Sequence, residues 1–117
     1  DERRKVVQGF MNDPEALVEA ARTEARIVVL GDLNEAEMFD GVAALGAPPM
    51  ENLTLGIDDA DRYSYNFEGA SEVIDHIVVS PALAGGAEAD IVHLNTNCPD
   101  SARLSDHDPV VARVALD

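Results

Sequence analysis

Four short polar segments, each at a junction between an apolar run and a loop, place the strongest constraint on how this chain can fold. They are Gly31–Asn34, Tyr63–Gly69, Ile74–Ile77 and Ser105–Val110. Each contains oxygen side chains or a histidine, the groups that hold divalent cations and transfer protons. Because ligands collect at strand ends in α/β sheets, the pattern predicts that the fold gathers these segments at one site.

The apolar pattern between these segments predicts helices first and most strands later. Helical spacing indicates a helix over residues 2–11, a second that Asp13 caps and that continues to about Thr23, and a third that Asn34 caps and that ends at Leu45. Strands are predicted at residues 27–30, 63–67, 73–79, 91–94 and 110–116, and residues 46–61 are predicted to form a loop.

This order predicts one α/β (α+β) domain over residues 1–117, with one mixed β-sheet and helices packed on one face. The run Ile27–Leu30 has no polar residue, which is typical of a strand that is covered on both faces. The other face of the sheet would be too apolar to contact water. We therefore expect a partner layer to cover it.

The charge of the chain bears on its partners. It has 23 acidic and 8 basic residues, a net charge of -15, and 46% hydrophobic residues, which is typical of a globular protein. A nucleic-acid-binding face is usually basic, and this segment has none. Either the acidity is a solvated surface, or part of it converges on a metal while a basic surface lies elsewhere. No apolar run approaches the roughly 20 residues of a membrane span, and the lone Cys98 has no internal disulfide partner.

The strand-ending segment Gly31–Asn34 offers a carboxylate and a carboxamide. Side chains alternate along a strand, so we expect Asp32 and Asn34 to project together while Leu33 enters the core. A carboxylate can orient or deprotonate a water, and an amide can bind a phosphate oxygen. The alternative is that both residues only cap the next helix.

Two segments place acids beside histidines. Asp75 lies within an apolar strand, where a carboxylate is costly unless it is paired. Its expected partner is a histidine or a metal, and the alternative is a structural salt bridge. Asp106 is a candidate metal ligand, and His107 a candidate proton donor or charge stabiliser that Asp75 would hold in one tautomer with a raised pKa. Asp108 before Pro109 is predicted to form a turn. The remaining histidines, 76 and 93, are predicted to be structural.

Further polar and aromatic residues are candidates for substrate binding. Tyr63 and Tyr65 share a strand face and would stack on a base or sugar, or pack in the core. Asn95 would line the cleft. Residues 46–62 and 95–104 are the predicted substrate loops, and they contain Arg62 and Arg103, either of which would clamp a phosphate.

These motifs together resemble the C-terminal half of the endonuclease/exonuclease/phosphatase superfamily, which includes the pancreatic-type deoxyribonucleases. The resemblance covers roughly residues 25–116 and rests on Gly-Asp-Leu-Asn, an aspartate in an apolar strand, and Ser-Asp-His-Asp-Pro-Val, in that order. The Tyr-Ser-Tyr-Asn-Phe-Glu-Gly and Ile-Asp-His-Ile elements are similar to the secreted bacterial extracellular-nuclease branch, which implies an extracellular location. The family's fold is a four-layered α/β sandwich.

The resemblance implies metal-assisted hydrolysis of a phosphodiester in nucleic acid, either DNA or RNA with DNA favoured, with Mg²⁺ or Mn²⁺, or else Ca²⁺, as the cofactor. In that mechanism Asp32 orients or activates the attacking water, and Asn34 contacts the scissile phosphate. Asp75 pairs with His107, and Asp106 binds the metal together with Asp32. No membrane partner is implied.

The family's first half supplies an asparagine and a glutamate for the metal, a second catalytic side chain and the second sheet, and none has a counterpart here. We therefore expect the chain to be a segment that pairs with the missing half or with a second copy. Two alternatives to a nuclease stay open. One is a phosphomonoesterase or lipid phosphodiesterase on the same scaffold, and the other is a catalytically silent half-domain that serves binding or assembly.

Overall fold

The structure is a computed structural model that describes residues 25–116 together with residues 12, 13, 15, 16, 19 and 22. The helix predicted at 2–11, and much of the one predicted up to Thr23, lie outside these residues. Within the described part of the second helix, Asp13 Oδ1 accepts the backbone N–H of Ala16 at 3.2 Å, which is the bond expected of a helix cap.

The fold is α+β, with seven short strands and two short helices in the range 25–116. The strands are β1 (Val28–Asp32), β2 (Glu51–Asn52), β3 (Tyr65–Phe67), β4 (Ala70–Glu72), β5 (Asp75–Val79), β6 (Glu88–Ile91) and β7 (Val110–Arg113). The helices are α1 (Asp40–Leu45) and α2 (Pro81–Ala84), and two 3₁₀ turns follow β2 at Leu53–Gly56 and Asp59–Asp61. No helix among the described residues is long and apolar enough to cross a membrane.

The sheet organisation differs from the prediction of one mixed sheet. β5 lies between β1 and β2, while β3 pairs with β4 and β6 pairs with β7. All of these pairings are antiparallel. A two-residue turn joins β3 to β4, whereas the other antiparallel pairs are formed by strands that lie far apart in the sequence.

The central strand β5 divides the core into two parts, because successive side chains point to opposite faces. Val78 packs with Leu45 and Met50 on the side of α1. Ile77 and Val79 pack on the other side, against Leu53, Leu83 and the antiparallel pair of strands β6 and β7. β5 is therefore covered on both faces, and it holds the two halves of the core together.

Strand β1 is covered on only one face, contrary to the prediction. Ile27 and Val29 pack against the α1 side of the core, whereas Val28 and Leu30 are exposed, Leu30 by 67%. Val28 and Leu30 border an apolar groove that β7 lines with Val110 and Val111. Coverage by a missing half or by a second copy stays a prediction for this face.

Three predicted boundaries also shift. The helix expected from Asn34 begins only at Asp40, because Asn34 adopts a positive φ of 55°, which no α-helix accommodates. The strand expected at 91–94 is found at Glu88–Ile91, where it pairs with β7. The loop predicted at 46–61 contains the two-residue strand β2 and both 3₁₀ turns.

Candidate active site

The site begins with two opposed carboxylates. The register of β1 against β5 places Asp32 directly opposite Asp75. Opposed residues of an antiparallel pair project from the same face, and like charges in that position repel. A positive charge between or beside two carboxylates reduces this repulsion. The strand register therefore favours a cation or a protonated histidine at this position.

His107 occupies that place, and an isolated bridge to Tyr65 fixes its backbone. Its Nδ1–H donates to Asp75 Oδ2 at 2.7 Å, since an ionised carboxylate only accepts. Its Nε2 points to the other acids, 3.8 Å from Asp32 Oδ2 and 4.0 Å from Asp106 Oδ1. The imidazole thus has one nitrogen committed to Asp75, while the other faces two carboxylates.

These carboxylates raise the pKa of His107 above its ordinary value. Partial burial acts in the opposite direction and is the largest single influence, but it is outweighed. The hydrogen bond and the charge of Asp75 contribute most to the increase, and the charges of Asp32 and Asp106 add to it. The site therefore favours the protonated form of His107. From the sequence, Asp75 alone was predicted to raise this pKa.

Ser64 orients the Asp75 carboxylate, a role that the sequence reasoning missed. The fully buried Ser64 Oγ donates to Asp75 Oδ2 at 2.7 Å, the same oxygen that accepts from His107. The Ser64 carbonyl also accepts the backbone N–H of Asp108 at 2.8 Å. Ser64 precedes β3, which begins at Tyr65, so no strand alternation indicated this role.

The residues suited to a divalent cation lie around the free nitrogen of His107. Asp32 and Asp106 have side chains that are 42% and 60% exposed, so their carboxylate oxygen atoms are accessible at the surface. Asp32, Asp75 and His107 have oxygen and nitrogen atoms within 4.8 Å of one another, but His107 could bind a cation only through a nitrogen that carries no proton. Hard carboxylate oxygens fit Mg²⁺ or Mn²⁺, and this donor set is the observation that supports the predicted metal.

Asn34 is placed differently from the prediction. β1 ends at Asp32, so the alternation that would bring Asn34 onto the same face does not continue. Asp32 Oδ1 instead accepts the backbone N–H of Asn34 at 2.9 Å, which forms a local turn. Leu33 packs in the core as expected. Among the described residues, no hydrogen bond joins the Asn34 side chain to His107.

Tyr63 and Tyr65 contact different histidines. The Tyr65 ring lies 4.9 Å from the His107 ring, at the site, and its substrate contact stays a prediction. Tyr63 instead stacks on His93 at 4.0 Å, and its hydroxyl donates to Asn97 Oδ1 at 2.8 Å. The expected shared face fails because β3 begins only at Tyr65, so Tyr63 lies outside the regular strand.

Asn95 is buried rather than lining a cleft, because both ends of its amide are engaged. Its Nδ2 donates to the His107 carbonyl at 2.7 Å, and its Oδ1 accepts the backbone N–H of Leu104 at 3.1 Å. Arg103 pairs with Asp100 at 3.1 Å, and its contact with substrate stays a prediction.

Arg62 is committed to the fold. Its guanidinium donates to the carbonyls of Leu55 and Ile57 and pairs with Asp59 at 3.0 Å. These bonds connect the first 3₁₀ turn to the second. A phosphate clamp at Arg62 would compete with these bonds, and this role stays a prediction.

Two further residues from the polar segments lie in the interior. His76 is structural as predicted, because its Nε2–H donates to the Glu35 carbonyl at 2.7 Å and its Nδ1 accepts from Asn52 Nδ2 at 3.2 Å. Asp108 does more than form a turn, because its carboxylate is buried. Burial opposes its ionisation, but hydrogen bonds from Thr96 and His93 and from two backbone amides outweigh that cost and lower the pKa of Asp108.

Comparison of the chain with family models, with curated proteins and with solved structures gave no match.

Proposed function

We propose that this chain contributes the acid–base part of a divalent-metal-dependent phosphodiester hydrolase that acts on nucleic acid. The observation that carries the proposal is the charge arrangement of the site. An imidazole with a raised pKa is held by Asp75, and its other nitrogen faces the exposed carboxylates of Asp32 and Asp106.

Each residue has a role in this chemistry. Asp75 keeps the proton of His107 on Nδ1 and stabilises the imidazolium, so that Nε2–H can donate to the phosphate or to the leaving oxygen. Asp32 lies near enough to accept a proton from an attacking water that is bound beside Nε2. Asp32 and Asp106 would hold the cation, which would offset negative charge on the phosphate.

A nucleic acid is the substrate that fits the surroundings best. The Tyr65 ring beside His107 gives a surface for a sugar or a base next to the scissile phosphate. Four arginines among the described residues already have acidic partners within the chain: Arg22, Arg62, Arg103 and Arg113. Beyond the predicted contact of Arg103, flanking phosphates would be bound by protein outside this region, such as the half that the family resemblance implies.

The experiment is plasmid nicking by the chain with Mg²⁺ or Mn²⁺, alongside EDTA and the variant His107→Ala. Removing a general acid lowers rates by about 10²–10⁴-fold, so His107→Ala should abolish measurable nicking. Asp90→Asn is the matched control, because this exposed β6 carboxylate is not among the charges that raise the pKa of His107. It should nick like the native chain.

Cation binding is measured separately, so that a silent half-site can be distinguished from a wrong site. Mg²⁺ is titrated into the labelled protein, and NMR shifts are followed at Asp32, Asp106 and His107. Shifts at these residues without nicking would favour the half-domain alternative, in which the chain binds metal but lacks groups needed for turnover. An absence of both shifts and nicking would refute the proposal.

A further inference from the structure

The most heavily bonded side chain near the site is Asp108, next to His107 but pointing away from it into the protein. Its carboxylate is completely buried. Oδ1 accepts the backbone N–H groups of Asn95 and Thr96 at 2.8 and 2.9 Å. Oδ2 accepts the Nδ1–H of His93 at 2.8 Å and the hydroxyl of Thr96. Four donors satisfy the lone pairs of the carboxylate, as the burial of an ionised group requires.

These bonds hold the segment 93–97 against the segment 104–108 that carries His107. Asn95, whose own amide N–H is bound by Asp108, donates from Nδ2 to the His107 carbonyl at 2.7 Å. Its Oδ1 accepts from the backbone of Leu104 at 3.1 Å. The backbone of the segment 104–108 is thus fixed at two points by a residue that Asp108 itself holds.

The same network reaches the partner of His107. His93 lies flat on Tyr63, with ring centroids 4.0 Å apart and planes within 9°. The next residue, Ser64, accepts the backbone N–H of Asp108 and donates to Asp75 Oδ2. Asp108 and His93 are therefore joined to both halves of the Asp75–His107 pair, through the backbone on one side and through Ser64 on the other.

We propose that Asp108 and His93 are positioning residues, which hold the His107 backbone where its Nδ1 reaches Asp75 and its ring packs on Tyr65. The His107–Asp75 bond joins residues 32 positions apart, and His107 lies in a loop that follows the exposed residues Ser105 and Asp106. Without a buried anchor, that loop would sample positions in which the bond is broken. The geometric proposal stands on these contacts, and only its catalytic consequence rests on the proposed function.

Two substitutions at His93 separate hydrogen bonding from ring packing. His93→Phe keeps a ring for Tyr63 but removes the donor to Asp108. His93→Asn loses the ring but places an N–H donor near the former Nδ1. If the hydrogen bond positions His107, the asparagine variant should resemble the native protein more closely than the phenylalanine variant does. If ring packing is what matters, the order is reversed.

The readout is NMR of the three histidine rings in the intact chain without metal. In the native protein the His107 Nδ1 proton should exchange slowly, and the ring should show contacts to Tyr65. In His93→Phe this exchange should be about tenfold faster, as expected for loss of one bond that holds the loop, and the Tyr65 contacts should weaken. The His76 ring, which is buried in a different network, is the internal control for an intact fold.

Unchanged His107 exchange and Tyr65 contacts in His93→Phe, with an unchanged His76, would overturn the proposal. If His93→Phe does not fold, Thr96→Val provides the same test, because it removes another donor to the same Asp108 oxygen at nearly constant volume. Nicking activity is measured in parallel and should fall through kcat rather than KM. The NMR measurement does not require turnover. An inactive native chain would therefore count against the proposed function, and the exchange of the His107 Nδ1 proton would still test the positioning proposal.

Discussion

Replacing Asp75 by asparagine removes one negative charge from the centre of the site and keeps the size of the side chain. Asp75 Oδ2 accepts two hydrogen bonds of 2.7 Å, from His107 Nδ1 and from Ser64 Oγ. Asp75 is also the leading cause of the raised His107 pKa. The substitution should therefore lower the pKa of His107 and weaken its attachment to β5.

The effect on stability has a defined pH dependence. Because the His107 pKa is raised in the folded protein, the pair contributes stability that is fully present below the unfolded value of about 6.5 and is lost as pH rises through the folded pKa. A hydrogen bond to a charged group contributes about 1.5–3 kcal/mol. The lower end applies because the His107 side chain is 26% exposed.

We therefore expect Asp75→Asn to lower the free energy of unfolding by about 1–2 kcal/mol near pH 6 and by clearly less near pH 9. The assays are urea unfolding at both pH values and NMR titration of the His107 ring protons. Asp90→Asn removes the same charge from exposed β6 and serves as the control. An unchanged His107 titration, or an equal loss of stability at both pH values, would refute the reasoning.

Two further predictions concern the fold. Leu83→Ala, at a side chain that is 2% exposed, should lower the free energy of unfolding by about 2–5 kcal/mol, whereas Leu104→Ala, at a side chain that is 99% exposed, should change it by less than about 0.5 kcal/mol. Similar losses in urea unfolding would argue against the described core. Glu68→Asn should stabilise the β3–β4 hairpin by about 0.5–1 kcal/mol, because Glu68 and Gly69 both have positive φ, as a type I′ turn requires. A lower melting temperature for this variant would contradict that turn assignment.

The strands were predicted more accurately than the helices. β5 appears within the predicted range 73–79, and its alternation correctly places Asp75 with Ile77 and Val79, and His76 on the opposite face. A period of two is a local property, so a few residues reveal it. The helix expected from Asn34 begins only at Asp40, because Asn34 has a positive φ of 55° within a local turn that Asp32 stabilises.

The sequence predicted part of the site, because residue type and order along the chain are also local properties. Asp32, Asp75, Asp106 and His107 were identified by residue type and by order along the chain, and the structure brings them together. Asn95 was assigned to a cleft, and Tyr63 was predicted to stack on substrate or to pack in the core. In the structure the polar atoms of both have partners in distant segments. Which partner a polar group finds depends on the whole fold, so no local pattern indicates it.

The sequence by itself determined the chemistry that is available: a mixed set of helices and strands, a strongly acidic chain, and carboxylates and histidines at strand ends. Only the tertiary structure decided how that chemistry is arranged. It set Asp32 opposite Asp75, turned His107 Nε2 toward Asp106, and buried Asp108 among four donors. The physical reason is distance along the chain. Residue type and periodicity are local, whereas the energies of opposed charges and buried hydrogen bonds arise between residues that only folding brings together.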